Sequence, residues 1–486
     1  MDDKITANLE LNLKYLKNKF TLNEQFFVKR ILVLNTPCAV LVMDGMVNKI
    51  QVTKSITDPL IHSKNVYFPL LTYIKENGAL SVDICEATTF DVLINFLLSG
   101  FAIVLADNEN KALAIGVQGF PMRQVSETAS RTAVRGSREG FCEVMDLNLP
   151  LIRRRLKTPN LKAEISVVGR TSKTRYAICY LSDMVSPALV LEIREKMKKI
   201  DLDVVLETGN IQPFLEKSPL SLFSDIGYTE RPDDFAGKLS EGRIGILLDG
   251  TPYALIIPFL FSENFQGIDD YSQKFYYASF IRILKYIAFF VATMLPGIFV
   301  AIGTSDFSAV PFGFLIQIAK SEQTTPLPLM LEAIFVYIFY EIIREAGMNL
   351  PKSMGHAVSI VGAIVIGQAS VTAGIVGGPM IVILSLTVIC SFLLPDIFIP
   401  TTILRFGYIL VGGIFGLYGV FILFFISNIS MCAINSFGIP YTAPISPFSL
   451  KAMRDTFIRT NWTYLGKRTA KIQNLVGSEK SENKDK

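Results

Sequence analysis

Between residues 286 and 430 the chain is dominated by Ile, Leu, Val, Phe, Gly and Ala, and this long oily run constrains the fold more than any other feature. Four segments within it, 286–303, 357–376, 379–394 and 406–428, each approach the ~20 apolar residues that a ~30 Å hydrocarbon layer requires. They read as membrane-spanning helices. A fifth, 327–347, carries Glu332, Glu341, Arg344 and Glu345, and an unpaired carboxylate at a bilayer centre costs several kcal/mol. It is expected to lie amphipathically at the outer interface, to be re-entrant, or to be shielded within an assembly.

Residues 1–282 alternate charged and apolar blocks as globular domains do. After a polar lead-in (1–30), "ILVLNTPCAVLVMDG" (31–45) and the pair "FAIVLA" and "ALAIGV" around "DNENK" signal strands and a hairpin, giving a first α/β lobe over 31–130. A basic, helical connector spans 131–161. A second α/β lobe, 162–270, repeats the logic: "AEISVVG" and "TRYAICYL" are strands, Pro187 opens an amphipathic helix, and "RIGILLDGTPYALIIP" is a hairpin turning at Asp249-Gly250. The expected fold is therefore an α/β soluble N-terminal region of two lobes followed by an all-α multi-span membrane bundle (283–430) and a basic tail (431–486).

The formal charge of +4 is modest and gathers at the ends of the oily half, which argues against nucleic-acid binding. Residues 440–486 hold nine Lys and Arg against four Asp and Glu, and Arg282 and Lys285 precede the first span. Both ends then belong on the cytoplasmic side and the number of crossings is even. The N-terminus lacks the apolar core of a secretory signal. Six scattered cysteines without a CxxC pair, and only His62 and His356, exclude zinc sets and histidine relays and fit inert thiols in a reducing compartment. No phosphate-binding loop, zinc-protease signature, nucleophile elbow or dinucleotide fingerprint is present, so neither enzyme activity nor a metal or cofactor is expected.

Polar residues inside the oily half carry the functional expectation. Ser359, Ala363, Gly367, Ser370 and Gly374 recur at helical spacing and form one small-residue face, suited to close packing against another helix in lipid. Gln368 and Thr372 lie one turn apart on a neighbouring stripe, near mid-membrane, where each needs a partner or water. They either bond another helix or border a wet ion path. Glu332 and Glu341 are both candidate pore or coupling residues: Glu341 has Arg344 and Glu345 at pair spacing, which also allows a local surface pair, whereas Glu332 sits among apolar residues. Pro296-Gly297 and "VGGP" (376–379) are expected to break helices. "RGSREGF" (135–141) reads as connector, its arginines pairing with Glu139 or Glu143 rather than binding an anion.

Five blocks carry a family resemblance: "RGSREGFCEVMDLNLPLIRRRLKTPNL" (135–161), "YTERPDDF" (228–235), "GRIGILLDGTPYALIIP" (242–258), "EIIREAGMNLPKSMGHAVSIVGAIVIGQASVTAGIV" (341–376) and "FGIPYTAPISPFSLKAMRDTFIR" (437–459). In this order they resemble the signature blocks of the A subunit of GerA-type spore germinant receptors, over roughly residues 30–468. The resemblance implies a subunit of a nutrient-sensing complex in the inner membrane of a dormant bacterial spore, acting with a transporter-like B subunit and a lipoprotein C subunit. It also implies a homo-oligomeric ring, a pentamer being one candidate, that releases monovalent cations when germinant binds, with Gln368 near the path. His356 departs from the family, standing in place of a glutamine. A secondary transporter and a non-conducting scaffold for germination machinery are the competing function classes.

Overall fold

The strand signals of the wet half resolve into two sheets of one shared topology. The computed structural model describes residues 4–33, 36–58, 69–77, 83–119, 136–349, 362, 364–450, 452–461, 463 and 471–479. His62, Arg135, His356, Ser359 and Ala363 lie outside the described residues.

In the first lobe, α1 (Leu9–Lys19) precedes β1 (Phe26–Val33) and β2 (Thr36–Met43); α2 (Leu70–Asn77), β3 (Ile84–Ala87), α3 (Phe90–Leu97), β4 (Phe101–Ala106) and β5 (Ala112–Gly116) follow. The strand order is β1-β2-β4-β5-β3, every pair antiparallel. Both faces are covered. Ala39, Leu41, Ile103 and Leu105 face the core under α1 and α3, while Cys38, Val40, Ala102 and Val104 face the core under α2. Burial on both sides explains why these strands read as unbroken apolar runs.

The second lobe adds α4 (Met145–Arg155), β6 (Leu161–Val168), β7 (Thr174–Leu181), α5 (Pro187–Lys198), α6 (Thr208–Leu215), β8 (Gly227–Thr229), α7 (Pro232–Ser240), β9 (Ile244–Leu248) and β10 (Ala254–Ile257). Its order, β6-β7-β9-β10-β8, repeats that of the first lobe. Between β9 and β10, Gly250 takes φ +99°, the left-handed region a glycine adopts without cost. The helix of the basic connector belongs to this lobe: Met145, Leu149 and Ile152 join its core. Glu139 is paired by Arg154 and Arg155 at 3.2 and 2.7 Å, arginines of the connector helix rather than those of "RGSREGF". Arg153 points the other way and ties the lobes together, donating to Gln25 Oε1 (3.1 Å) and Asn23 Oδ1 (2.9 Å).

Chain from beyond the helical half completes the second lobe. Phe437 is fully buried among Ile178, Ile193, Ile211 and Ile226, with Lys196 Nζ 4.4 Å from its ring centre. Beside it, Ser436 Oγ donates to the backbone carbonyl of Asp225. The Asp225 carboxyl is buried with Oδ2 unpartnered among the described residues. Burial, then the nearby Glu216, pushes it up to about 6. Stability from a carboxyl raised in the fold is fully present below its unfolded value near 3.8 and is lost as pH rises through about 6. Asp225→Asn should therefore match the parent near pH 4 and exceed it above pH 7 by on the order of 3 kcal/mol. Thermal unfolding of the detergent-solubilised chain across that range checks this; a difference that does not change with pH contradicts it.

The oily half is helical. α8 (Phe275–Thr304), α9 (Phe312–Glu322), α10 (Leu329–Asn349), α11 (Gly378–Phe392) and α12 (Phe398–Ala433) form a bundle. Two helical runs, Phe275–Thr304 and Pro395–Ala433, are long and apolar enough to cross a membrane. At the end nearest the second lobe, Arg282 of α8 is clamped by Asp270 (2.7 Å) and Asp455 (2.8 Å).

Two expectations need correction. The segment 406–428 is not one straight helix: α12 reverses at Gly416 (φ 63°, ψ −157°) into arms 398–415 and 417–433. Gly407 faces Leu423, Gly412 faces Val420, and the Tyr408 hydroxyl meets Ser427 Oγ at 3.2 Å. The segment 327–347, expected at the outer interface, re-entrant or shielded, forms α10, which buries Leu329, Glu332, Ala333, Val336 and Tyr337 within the bundle. Pro296-Gly297 is no break, because α8 continues through it. Gly297 is there for close approach: a Cβ would come within 2.5 Å of the Tyr408 carbonyl. The described part of 357–376 is a π-helical turn (Ile364–Ala369) and one short helical turn (Ser370–Thr372), ended by Gly374 at φ +67°.

Candidate functional site

The inward face of α10 strings polar residues at helical spacing, and they build two separate clusters. The first lies towards the lobe end and centres on Arg405, fully buried on the first arm of α12. Pro296 has no N–H, which leaves the carbonyl four residues earlier, that of Ala292, without its helical donor. Arg405 Nε supplies one at 2.9 Å. Its Nη2 donates to Ser391 Oγ of α11 at 2.5 Å, its guanidinium lies 5.3 Å from the ring centre of Tyr337, and Nη1 approaches Glu341 Oε1 at 3.8 Å. One side chain thus touches α8, α10 and α11 from α12. Glu341 takes its closer bond from Arg344 Nε (2.7 Å), and Arg344 stacks on Phe398 at 4.5 Å. Tyr337 completes the cluster by sharing a 2.6 Å hydrogen bond with Thr387.

The second cluster is at the distal end. Glu332 is 1% exposed, and its Oε1 accepts from the Gly377 N–H at 2.8 Å. Gly377 immediately precedes α11, so the carboxylate sits where the free amides and dipole of a helix N-terminus favour negative charge. Ser321, Glu322, Glu332 and Gly377 border a cavity of about 10 Å³, room for about one water. A related cap holds the α12 reversal: Asp306 Oδ2 accepts from the Leu417 N–H at 2.7 Å, at the start of the second arm.

Gln368 and Thr372 join neither cluster. Both are exposed on the outside of the bundle, where Thr372 Oγ1 donates to the Gln368 carbonyl at 2.7 Å. The Gln368 amide group has no partner among the described residues. Gly367 of the small-residue face has open space where a side chain would project, and a Cβ on Gly374 would lie 3.0 Å from the Thr324 carbonyl. Ser370, on the same face, is half-buried.

Of the four candidate residues, the structure brings Glu341 to Arg405 and leaves Glu332, Gln368 and Thr372 in other places. Arg405, Asp306, Tyr337, Thr387 and Ser391 were not foreseen. Arg405 had a signal: it is the one charged residue in the otherwise apolar stretch 398–433, just outside the expected span. Among the described residues no group of His, Cys, Asp and Glu could hold a metal ion. Cys38 and Cys179 are buried thiols, both pushed up to about 12, chiefly by burial.

Comparison with known proteins gives a consistent set of matches. The family profile described as "Bacillus/Clostridium GerA spore germination protein" matches residues 14–471. Spore germination protein KA of Bacillus subtilis (strain 168) is 36% identical over 427 residues, 87% of this chain and 78% of that protein. Spore germination protein GerLA of Bacillus cereus is 33% identical over 441 residues, 90% of each chain. Among solved structures, the N-terminal domain of the A subunit of the Bacillus megaterium spore germinant receptor GerK3 is 29% identical, covering 53% of this chain and 97% of that one, with a TM-score of 0.42.

Proposed function

This chain belongs to the GerA family of spore germination proteins over residues 14–471, and from that premise we propose that it is the receptor A subunit whose helical half assembles, copy beside copy, around a water-filled path for monovalent cations. The observation that carries this reading is the outward placement of Gln368 and Thr372. An amide facing lipid would go unsatisfied at a cost of several kcal/mol. Facing other copies around water, it is solvated. The small face beside it is then the contact between copies.

Counted from the lobe end, α8 runs outward, α10 returns, 364–376 runs outward, α11 returns, and the two arms of α12 run out and back. Gly362 beside Ile343, Gly374 beside Thr324 and Gly416 beside Asp306 support this order. Six passes are even in number, so the lobes and the tail share one side, the cytoplasmic side by the basic bias of residues 440–486. The setting is the spore inner membrane, with a transporter-like B subunit and a lipoprotein C subunit as partners. Glu332, occupied in capping α11, holds the bundle together rather than lining the path. Germinant binding elsewhere in the complex opens the path by favouring one arrangement of the bundle over another.

A second reading, secondary transport, draws on the helix that starts inside the bundle opposite Glu332. Reconstitution in liposomes separates the two. The channel reading expects potassium or sodium flux that is linear in the gradient and falls at least tenfold in Gln368→Leu. Saturable, coupled exchange would favour transport. Absence of flux from the complete, germinant-treated complex would leave a scaffold.

A further inference from the structure

Strand β1 is an edge of the first sheet: it pairs with β2 along all eight residues and with no strand on its other side among the described residues. Its alternate N–H and C=O groups on that side are available to another chain. Phe26 and Val28 pack on the core that contains Leu9, Leu13 and Leu16 of α1, and Ile31 and Val33 on the opposite core. Even-numbered side chains of β1 therefore face α1.

On the Arg30 side of α1 lies a groove of about 370 Å³, bordered on the helix by Glu10, Leu11, Leu13, Lys14, Lys17 and Asn18 and on β1 by Arg30. Arg30 is held by Glu10 at 2.9 Å, and Lys14 and Lys17 have no ion pair among the described residues. Apolar surface flanks the edge: Leu11 is 58%, Phe27 53% and Leu32 65% exposed. A charged edge strand is in general a guard against aggregation. A guard needs no neighbouring groove, and here Lys14 and Lys17 of α1 line a groove that Arg30 of the edge strand also borders.

We propose that β1 is a docking edge for an extended acidic polypeptide segment, which adds as a sixth strand to the sheet between β1 and α1. Main-chain hydrogen bonds to β1 provide affinity, and side chains at alternate positions provide selection. Acidic residues on one face of the incoming strand meet Lys14 and Lys17, and apolar residues on the other cover Phe27. The proposal goes beyond the channel reading and does not depend on it. The site lies in the lobe furthest along the chain from the helices, so its partner is a soluble protein segment on the same side as the lobes.

The test uses the full chain in detergent and a fluorescent ten-residue peptide in which Glu and Val alternate. Fluorescence anisotropy is expected to show saturable binding that weakens as salt is raised. It should be at least tenfold weaker for the Lys/Val counterpart, for the fully N-methylated Glu/Val peptide, and for a chain carrying Lys14→Glu and Lys17→Glu, both exposed positions. Equal binding of the N-methylated peptide would reduce the effect to charge adhesion and overturn the proposal. So would binding indifferent to the lysine changes, no binding at all, or self-association of the chain that competes with the peptide for the edge.

Discussion

Gly416→Ala should collapse the recovery of folded chain from the membrane at least tenfold and lower its stability in detergent by about 3 kcal/mol or more. At φ 63° and ψ −157° the residue occupies a region open essentially to glycine alone. A Cβ there would stand 2.4 Å from Asp306 Oδ2 and 3.3 Å from Ser305 Cβ. Relief requires moving the carboxylate, which removes the cap on the Leu417 N–H and exposes a helix N-terminus where water is scarce. Gly313→Ala is the control: nothing lies within 4 Å of that Cβ, and alanine in a helix gains up to about 1 kcal/mol over glycine. Thermal unfolding and size-exclusion profiles of the two variants give the comparison. Equal behaviour would mean that α12 does not reverse at Gly416.

The second large effect belongs to Arg405→Leu. Removing one partner of a buried charged network costs about 3–5 kcal/mol, because the groups left behind are stranded. Here those groups are the Ala292 carbonyl freed by Pro296, Ser391 Oγ and one oxygen of Glu341. Arg405→Lys should recover only a minor part, since an ammonium cannot reach acceptors on three helices at once. Glu341→Gln added to Arg405→Leu should recover more, because it removes the carboxylate charge. Glu341→Gln alone is expected to be the mildest of the set, Glu341 being half satisfied by Arg344. Unfolding midpoints of the four variants decide the order. If Lys substitutes fully for Arg405, the hub does not exist.

The lobes were legible because strands buried on both faces leave unbroken apolar runs, and turn residues such as Asp249-Gly250 punctuate them. That the two lobes share one strand order was not legible, since pairing between distant strands leaves no local mark. In the oily half composition identified the apolar segments but not their geometry. "VGGIFGLYG" offers several glycines that could pack a straight helix, and only the neighbouring Asp306 distinguishes Gly416 as a reversal. Pro296 was read as a break because sequence cannot show a donor arriving from residue 405. Glu332 was visible as an anomaly, yet its role in capping α11 depends on a contact 45 residues away. Gln368 and Thr372 stood out in the sequence for their cost in oil. The structure places both on the exposed surface of the bundle, which local pattern could not show.

The direct test of the water-filled path is the reactivity of a cysteine at Gln368. Gln368→Cys, in the complete receptor reconstituted in vesicles, is treated with a charged, membrane-impermeant methanethiosulfonate, and Ile389→Cys on the exposed apolar face of α11 serves as the lipid-facing control. A polar path between copies predicts modification at position 368 at least a hundredfold faster than at 389, with cation flux blocked as the label accumulates. Equal, negligible modification at both positions would place Gln368 in lipid or in a dry contact and contradict the account.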